Sequence, residues 1–433
     1  MSESITSLNI GVAGLGTVGV GVLKIIQGEQ DMLTARTGLK INVTAVSARD
    51  RSKDRGVDFS HYHWCDNAVD LAKRDDVDVV VELMGGSDGP AYALAKETLL
   101  QGKPFVSANK ALIAVHGKEL AELSEANQAA LKFEAAVAGG IPIVKALGEG
   151  LAGNQIEAVY GILNGTCNYI LTRMEDEGLS FDEVLADAQK LGYAEADPTF
   201  DVDGIDTAHK TAILAAIAFG TNPSFQTMAI EGIRPINTID IRYAEELGYR
   251  IKLLGIAKQT EAGIEQRVHP AMVPQTAALA SVGGALNAVV VKANYVGPTV
   301  YEGAGAGEGP TASAVLADII DVARGNKTPA FGVPASCLSR GAAADPVDQV
   351  GRFYVRLRVL DLPGVIADIS TVLRDASVSI DSLIQRGEAA SGGVFVVLTT
   401  HFGSEKAVAT ALTSIGDMDA VLESPAMIRI ANV

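Results

Sequence analysis

Residues 8–19 read Leu8-Asn9-Ile10-Gly11-Val12-Ala13-Gly14-Leu15-Gly16-Thr17-Val18-Gly19. The apolar run 8–13 predicts a buried strand, and Val20, Val22, Leu23, Ile25 and Ile26 continue it as a helix. Strand, Gly-x-Gly-x-x-Gly and helix, in that order, form the dinucleotide-binding arrangement. The glycines permit a tight turn, let the backbone approach a pyrophosphate and let helix pack on strand, with the helix N-terminus toward the phosphates. Gly14, Leu15, Gly16, Thr17, Val18 and Gly19 are therefore candidate cofactor contacts. Taken alone the motif also suits any tight strand–helix turn, so the segments beyond it decide.

Those segments alternate between strand and helix. A second strand, 41–47, leads into Ser47-Ala48-Arg49-Asp50-Arg51. An NAD site usually carries an acid about 20 residues beyond the glycines; here the interval is longer. Arg49 suits a ribose 2′-phosphate, which favours NADP(H), while Asp50 keeps NAD(H) open and both arginines could simply be solvated. Residues 77–81 form a continuous apolar strand of the buried parallel kind, ending at Glu82 and Gly85-Gly86. A helix over 90–101 and a strand over 104–108 come next, and Asn109 and Lys110 fall at that strand's carboxyl end, the edge where open α/β sheets bind ligands. A helix over 116–128 and a strand over 131–135 complete a doubly wound parallel sheet. His61, His63 and Cys65 alternate as strand neighbours do, but with no second pair of ligands nearby they are read as structural.

The chain has 433 residues, enough for two or three domains. Its 48% hydrophobic and 20% charged content is that of a soluble globular protein. A net charge of −17 excludes the basic footprint that nucleic acid or an anionic membrane requires. Cys65, Cys167 and Cys337 are scattered, which argues for a reducing compartment rather than a disulfide framework. With no signal-like N-terminus and no apolar run of about 18 residues, the expected location is the cytoplasm.

After residue 143 the pattern changes to an α+β mixture. Helices are expected over 144–151, 168–176, 181–191 and 205–219, and strands over 156–163, 251–257, 265–273 and 288–296. Within it, Gly192-Tyr-Ala-Glu195-Ala-Asp197-Pro198-Thr-Phe-Asp201-Val-Asp203-Gly204-Ile-Asp206-Thr-Ala-His-Lys210 sets several carboxylates and a lysine before an apolar run. A helix starting near Gly204 puts Asp206 and Lys210 one turn apart on one face. That spacing is also that of an ordinary surface ion pair, but the next turns are apolar nearly all round, as in a buried helix. Thr166, in Asn164-Gly-Thr-Cys-Asn168, suits either a substrate carboxylate or a helix N-cap. Gly303-Ala-Gly305-Ala-Gly307-Glu-Gly-Pro310 precedes a helix over 311–323 and suits either a ligand or a mobile surface loop. The small-residue stretch 335–349 is a linker by composition. Beyond it, strands over 353–360, 378–385, 394–400 and 426–430 and helices over 365–376 and 404–415 give βαββαβ, a ferredoxin-like order.

The Gly-aromatic, Glu, Asp-Pro, Asp, Gly-x-Asp-x-x-x-Lys series at Gly192-Tyr193, Glu195, Asp197-Pro198, Asp201, Gly204, Asp206 and Lys210 resembles the signature of the homoserine dehydrogenases. The resemblance covers essentially the whole chain, and Asp361-Leu-Pro-Gly364 at the first turn of the last unit resembles an ACT domain. It implies reversible NAD(P)H-dependent reduction of L-aspartate 4-semialdehyde to L-homoserine. It makes Lys210, Lys110 and Asp206 the catalytic set and Glu195, Asp201, Asp206 and Thr166 the substrate contacts. It adds Arg49, Gly85, Gly86, Asn109, Lys110, Gly192, Gly305 and Gly307 to the cofactor contacts. Main-chain carbonyls of Glu134, Val137, Gly139 and Ile141 would hold a monovalent cation, sodium. The implied layout is a dinucleotide-binding domain over 1–140, with 300–330 packing back on it, a substrate domain over 141–335, a linker over 336–350 and an ACT domain over 351–433. The ACT domain would bind threonine where two copies pair, in a homodimer or homotetramer. Another ACT-regulated amino-acid dehydrogenase and a non-catalytic sensor are the alternatives. The first would need a catalytic histidine beside a glutamate, and the second a broken catalytic set.

Overall fold

In a computed structural model, the protein is described over residues 6–192, 194–225, 228–339, 349–386 and 392–433. Tyr193 of the signature and positions 340–348 of the expected linker lie outside the described residues.

The first unit comprises β1 (Ser7–Ala13), α1 (Thr17–Gly28), α2 (Gln30–Thr37), β2 (Lys40–Ser47), β3 (His63–Trp64), α3 (Asp70–Lys73), β4 (Val79–Glu82), α4 (Pro90–Leu100), β5 (Phe105–Ser107), α5 (Lys110–Ala126) and β6 (Leu131–Lys132). Its strands are all parallel, in the order β3-β2-β1-β4-β5-β6. That is the doubly wound order with its switch point between β1 and β4. Helix α5 begins at Lys110, six residues before the expected start, because the Asn109 side chain accepts from the Leu112 amide and caps it.

The second unit runs through α6 (Ile143–Lys145), β7 (Ile156–Ile162), α7 (Gly165–Glu177), α8 (Phe181–Lys190), α9 (Thr199–Val202), α10 (Ile205–Phe219), β8 (Ala229–Ile230), α11 (Thr238–Glu246), β9 (Tyr249–Thr260), β10 (Gly263–Pro274), β11 (Leu286–Ala293), β12 (Gly297–Ala304) and α12 (Glu308–Ala323). Helix α12 packs back on the first unit: its Ala312, Val315 and Ile319 share a core with Ile10, Val22 and Leu23. Gly21 of α1 makes this close approach feasible, since a Cβ there would stand 2.7 Å from Cγ of Glu308.

The last unit is β13 (Val350–Leu360), α13 (Val365–Asp375), β14 (Ile380–Arg386), β15 (Gly393–Thr400), β16 (Gly403–Ser404), α14 (Glu405–Gly416) and β17 (Ala426–Ile430). It has the expected βαββαβ order, and its sheet joins that of the second unit. Strand β17 pairs with β10, so the sheet runs continuously as β12-β11-β7-β9-β10-β17-β13-β15-β14. One face of this unit's sheet packs on its own helices, while Tyr354, Val397 and Ile428 join the core of α7, α8 and α11. Buried Asp240 accepts from the Tyr354 hydroxyl at 3.0 Å and pairs with the Arg356 guanidinium at 2.7 Å. Among the described residues no helix is long and apolar enough to cross a membrane.

Candidate active site

The glycine turn does what its sequence predicts. Gly14 has φ +100°, and a Cβ there would lie 2.5 Å from the Leu83 carbonyl. Gly19 lets α1 close on the turn, because a Cβ would meet the Gly14 oxygen at 2.1 Å. Nothing stands within 4 Å of a Cβ built at Gly16, which leaves room for a ligand. A cavity of about 620 Å³ opens there, walled by Gly14, Leu15, Gly16, Arg49 and Gly85 of the expected contacts. Thr17 and Val18 open helix α1 beside it.

Asp50, Lys53 and Arg55 also line this cavity. The Asp50 carboxylate is turned into its own loop, accepting from the amide and hydroxyl of Ser52 at 2.8 and 2.6 Å. Arg51 points elsewhere, over the Trp64 ring at 5.8 Å. Arg55 donates to the carbonyls of Leu15, Lys53 and Asp50 and so ties the loop to the glycine turn. Sequence reading missed Lys53 and Arg55 because they lie beyond the strand end at no fixed spacing.

Behind the turn, buried Glu82 accepts from the amides of Met84 and Gly85 at 2.7 and 3.1 Å and from the Ser107 hydroxyl at 2.7 Å. Ser107 in turn accepts from the Asn109 amide, and Asn109 donates to the Gly86 carbonyl. Burial pushes the Glu82 carboxyl up, against these hydrogen bonds. The chain of contacts locks the loops after β4 and β5 together and aims Lys110 outward from the sheet edge. An acid closing an apolar strand was the only sequence signal for it.

Lys110, Asp206 and Lys210 meet. Lys110 Nζ lies 2.6 Å from Asp206 Oδ1, and Lys210 Nζ lies 2.8 Å from Oδ2. Lys210 also donates to the Leu163 carbonyl at 2.7 Å. Asn164 Nδ2 bonds Asp201 at 2.8 Å and Asp206 at 2.9 Å. Burial would raise the Asp206 carboxyl, but the ammoniums of Lys210 and Lys110 outweigh it and hold the group well below the usual carboxylate range. Burial pushes the Lys210 ammonium below the usual lysine range, with Asp206 opposing and Lys110 reinforcing. Asp201 is pushed up by burial and by Asp206, against its hydrogen bond from Asn164.

The other expected contacts divide. Asn164, not Thr166, caps α7, its side chain accepting from the Cys167 amide; Thr166 sits in the first turn. An Asn three residues before that amide was a cap signal available in the sequence. Each Asp206 oxygen meets one lysine, so the carboxylate serves as counter-ion to both and keeps lone pairs for a further donor. Glu195 and Gly192 lie on an exposed loop, where the Glu195 carbonyl accepts from Gln189. Gly305 packs on Asn287 and on Gly139, and Gly307 precedes α12; neither lines the nucleotide cavity. Cys167 is buried, with its thiol pushed well up by burial and neighbouring carboxylates.

The expected cation carbonyls lie in the crossover from β6 to α6. Ala138 and Gly139 there have φ of 55° and 51°. Among the described residues the buried carbonyls of Val137 and Gly139 accept no backbone N–H, while those of Glu134 and Ile141 accept one each and keep a lone pair. Uncommitted oxygens of this kind fit a hard, weakly charged ion. The Glu134 carboxylate is engaged elsewhere, capping the amides of Val144 and Lys145.

A nucleotide cavity at the switch point, with two lysines sharing one buried aspartate at the sheet edge, defines a pyridine-nucleotide oxidoreductase carrying an ACT domain. Family models agree unit by unit: the homoserine dehydrogenase NAD-binding domain over 14–134, homoserine dehydrogenase over 142–320 and ACT over 353–417. A homoserine dehydrogenase of Neisseria gonorrhoeae is 44% identical, covering 98% of this chain and 99% of its own. The crystal structure of one from Thiobacillus denitrificans superposes with a TM-score of 0.93 at 44% identity, covering 99% of each chain. A hyperthermophilic archaeal homoserine dehydrogenase mutant in complex with NADPH matches 73% of this chain and 97% of its own, at 27% identity and a TM-score of 0.63. The chain belongs to the homoserine dehydrogenases. Its reaction is therefore the one the sequence implied, between L-aspartate 4-semialdehyde and L-homoserine, and neither alternative is favoured.

Proposed function

We propose that Lys210 moves the proton of this reaction and that Lys110 stabilises the same oxygen. The carrying observation is the shared Asp206 carboxylate, which holds both ammoniums together. The bound nicotinamide supplies or accepts the hydride at the substrate carbon. Lys210, held by Asp206 and the Leu163 carbonyl, donates to the developing alkoxide in reduction and takes the proton back in oxidation. Lys110 adds a second positive charge where the oxygen becomes negative. The substrate ammonium falls to Glu195, Asp206 and Asp201, and its carboxylate to Thr166. The crossover cation, sodium, would fix the Glu134–Ile141 segment.

NADP(H) is the preferred cofactor in this reading, with NAD(H) also used. Arg49 and Lys53 stand on the cavity wall and the Asp50 carboxylate is already occupied. An assay of homoserine oxidation with each nucleotide tests it: Arg49→Ala should raise KM for NADP about tenfold, the weight of one charge-assisted hydrogen bond, and leave KM for NAD unchanged. An equal change in both would remove the assignment.

The domain division expected from sequence is kept, as is threonine feedback at the Asp361–Gly364 turn between paired ACT domains. A 500 Å³ cavity beside that turn supports the effector reading. Exposed Tyr295 and Val296 in the turn before β12, and Val300 on that edge strand, support a homo-oligomer, dimer or tetramer. Three free cysteines suit the cytoplasm.

A further inference from the structure

Where the ACT unit joins the catalytic sheet, a second cavity of about 220 Å³ lies between β9 and β10 on one side and β13, β17 and the start of α14 on the other. At about 30 Å³ per water that is roughly seven waters, too small for a nucleotide and sufficient for a molecule of amino-acid size. Its wall is charged: Lys258, Arg267, Arg352 and Arg429 face Glu265 and Glu405. Arg352 is met from outside by Asp381 at 2.6 Å, and Arg429 by Glu231 at 2.7 Å. Four cations thus stand against four anions, a balance that suits a zwitterion better than a bare anion.

The network is also incompletely satisfied. Arg267 is only 4% exposed; it bonds both Glu405 oxygens at 3.1 and 3.0 Å and reaches Glu265 at 3.4 Å. Its Nε has no hydrogen-bond partner among the described residues. A guanidinium has more N–H donors than these two carboxylates use. A buried polar group left unmatched costs stability, and a ligand carboxylate drawing the guanidinium round would recover it. Ile256, Val350 and Phe402 supply an apolar side to the same cavity, as a short aliphatic side chain requires.

We propose that this seam cavity binds a small aliphatic α-amino acid, its carboxylate on Arg267 and its ammonium toward Glu405. This is a different place from the Asp361–Gly364 turn and stands or falls separately from it. The site has a direct mechanical route to the chemistry. Ile256 and Lys258 of β9 face the cavity, while the adjacent Gly255 packs on α10 so closely that a Cβ would lie 2.1 Å from Thr211 Oγ1. Helix α10 carries Asp206 and Lys210.

Calorimetric titration of the full chain with L-threonine, L-valine and L-isoleucine, each to about 10 mM, tests this. Gly351 lines the cavity at ordinary backbone angles, its nearest neighbour to a built Cβ being the Phe353 ring at 3.5 Å, so Gly351→Leu fills the space and removes no charge. Glu405→Gln removes the ammonium partner and keeps the shape. For L-valine and L-isoleucine both should weaken binding about tenfold or more, whereas Gln385→Trp, which fills the cavity at the turn, should leave it unchanged. 2-Hydroxy-3-methylbutyrate, which lacks the ammonium, should bind more weakly than L-valine. No heat from the wild-type chain with any of the amino acids, or undiminished binding in folded Gly351→Leu, overturns the seam site. Loss in Gln385→Trp alone overturns it too and leaves the turn as the effector site.

Discussion

The ammonium of Lys110 stands 2.6 Å from Oδ1 of Asp206, and so joins the first turn of α5 to the first turn of α10. The two residues are far apart in sequence and belong to different units. Their helices pack against each other over one core that includes Leu112, Ile213 and Phe331. Gly117 of α5 is required there, because a Cβ would come within 2.7 Å of the Phe331 ring. Closing the two units on each other is therefore what brings the two lysines and Asp206 together.

Replacing Lys210 by Ala should lower turnover by about 10²–10⁴-fold, the usual weight of a general acid–base group. Nucleotide binding should survive, because Lys210 does not line that cavity. Single-turnover kinetics with a fluorescence titration of NADPH checks both halves. Near-normal turnover in a folded Lys210→Ala chain would remove the lysine from the mechanism.

In the proposed mechanism homoserine oxidation needs Lys210 unprotonated, and reduction needs it charged. Burial has moved its pKa below the usual lysine range, so kcat/KM for oxidation should rise with pH through a limb below about 10.4. Asp206→Asn withdraws the anion that favours the charged form of Lys210, and should shift that limb to lower pH. A pH profile that stays in place in Asp206→Asn would contradict the coupling.

Glu195→Gln keeps the shape and removes the charge of a residue on the exposed loop before α9. If Glu195 meets the substrate ammonium, KM for homoserine should rise while kcat changes little, since the contact is the same in ground and transition states. An unchanged KM would leave the ammonium to Asp201 and Asp206.

Asp318 of α12 donates nothing in its charged form and accepts from the Glu134 amide at 2.8 Å. Burial, then the nearby Glu134 carboxyl, raises its pKa to about 8, against Lys145. The folded chain thus keeps a proton that the unfolded chain loses near pH 4. This contribution to stability is complete below pH 4, falls between about pH 4 and 8, and levels off above. Relative to wild type, Asp318→Asn should gain stability across that window. Urea unfolding midpoints at several pH values give the comparison, and parallel pH dependences would refute it.

Arg356→Met strips the guanidinium from buried Asp240 and should cost about 3 kcal/mol, as breaking buried pairs does. Tyr354 still donates to Asp240. Asp240→Asn in the same chain removes the stranded charge and should restore most of the loss, which a double-mutant cycle in urea measures. Independent, additive losses would mean that the pair does not hold the ACT unit in place.

Local sequence determined the elements and their chemistry. The Gly14–Gly19 turn, helix 205–219 and the βαββαβ order each arise from neighbours along the chain, through periodicity, caps and the steric freedom of glycine. The spacing of Asp206 and Lys210 was legible because one helical turn fixes it. Other features required the folded chain. Lys110 reaches Asp206 only through helix packing; Arg55 and Glu82 organise the nucleotide loops from positions with no fixed spacing; Asp206 turns out to hold both lysines. The docking of the ACT unit through β17 on β10 was likewise invisible, because an edge strand's hydrogen-bonding groups are backbone groups and leave no side-chain signature of their partner. Which groups become neighbours over long separations is set by the burial of non-local apolar surface, and that is decided by tertiary structure alone.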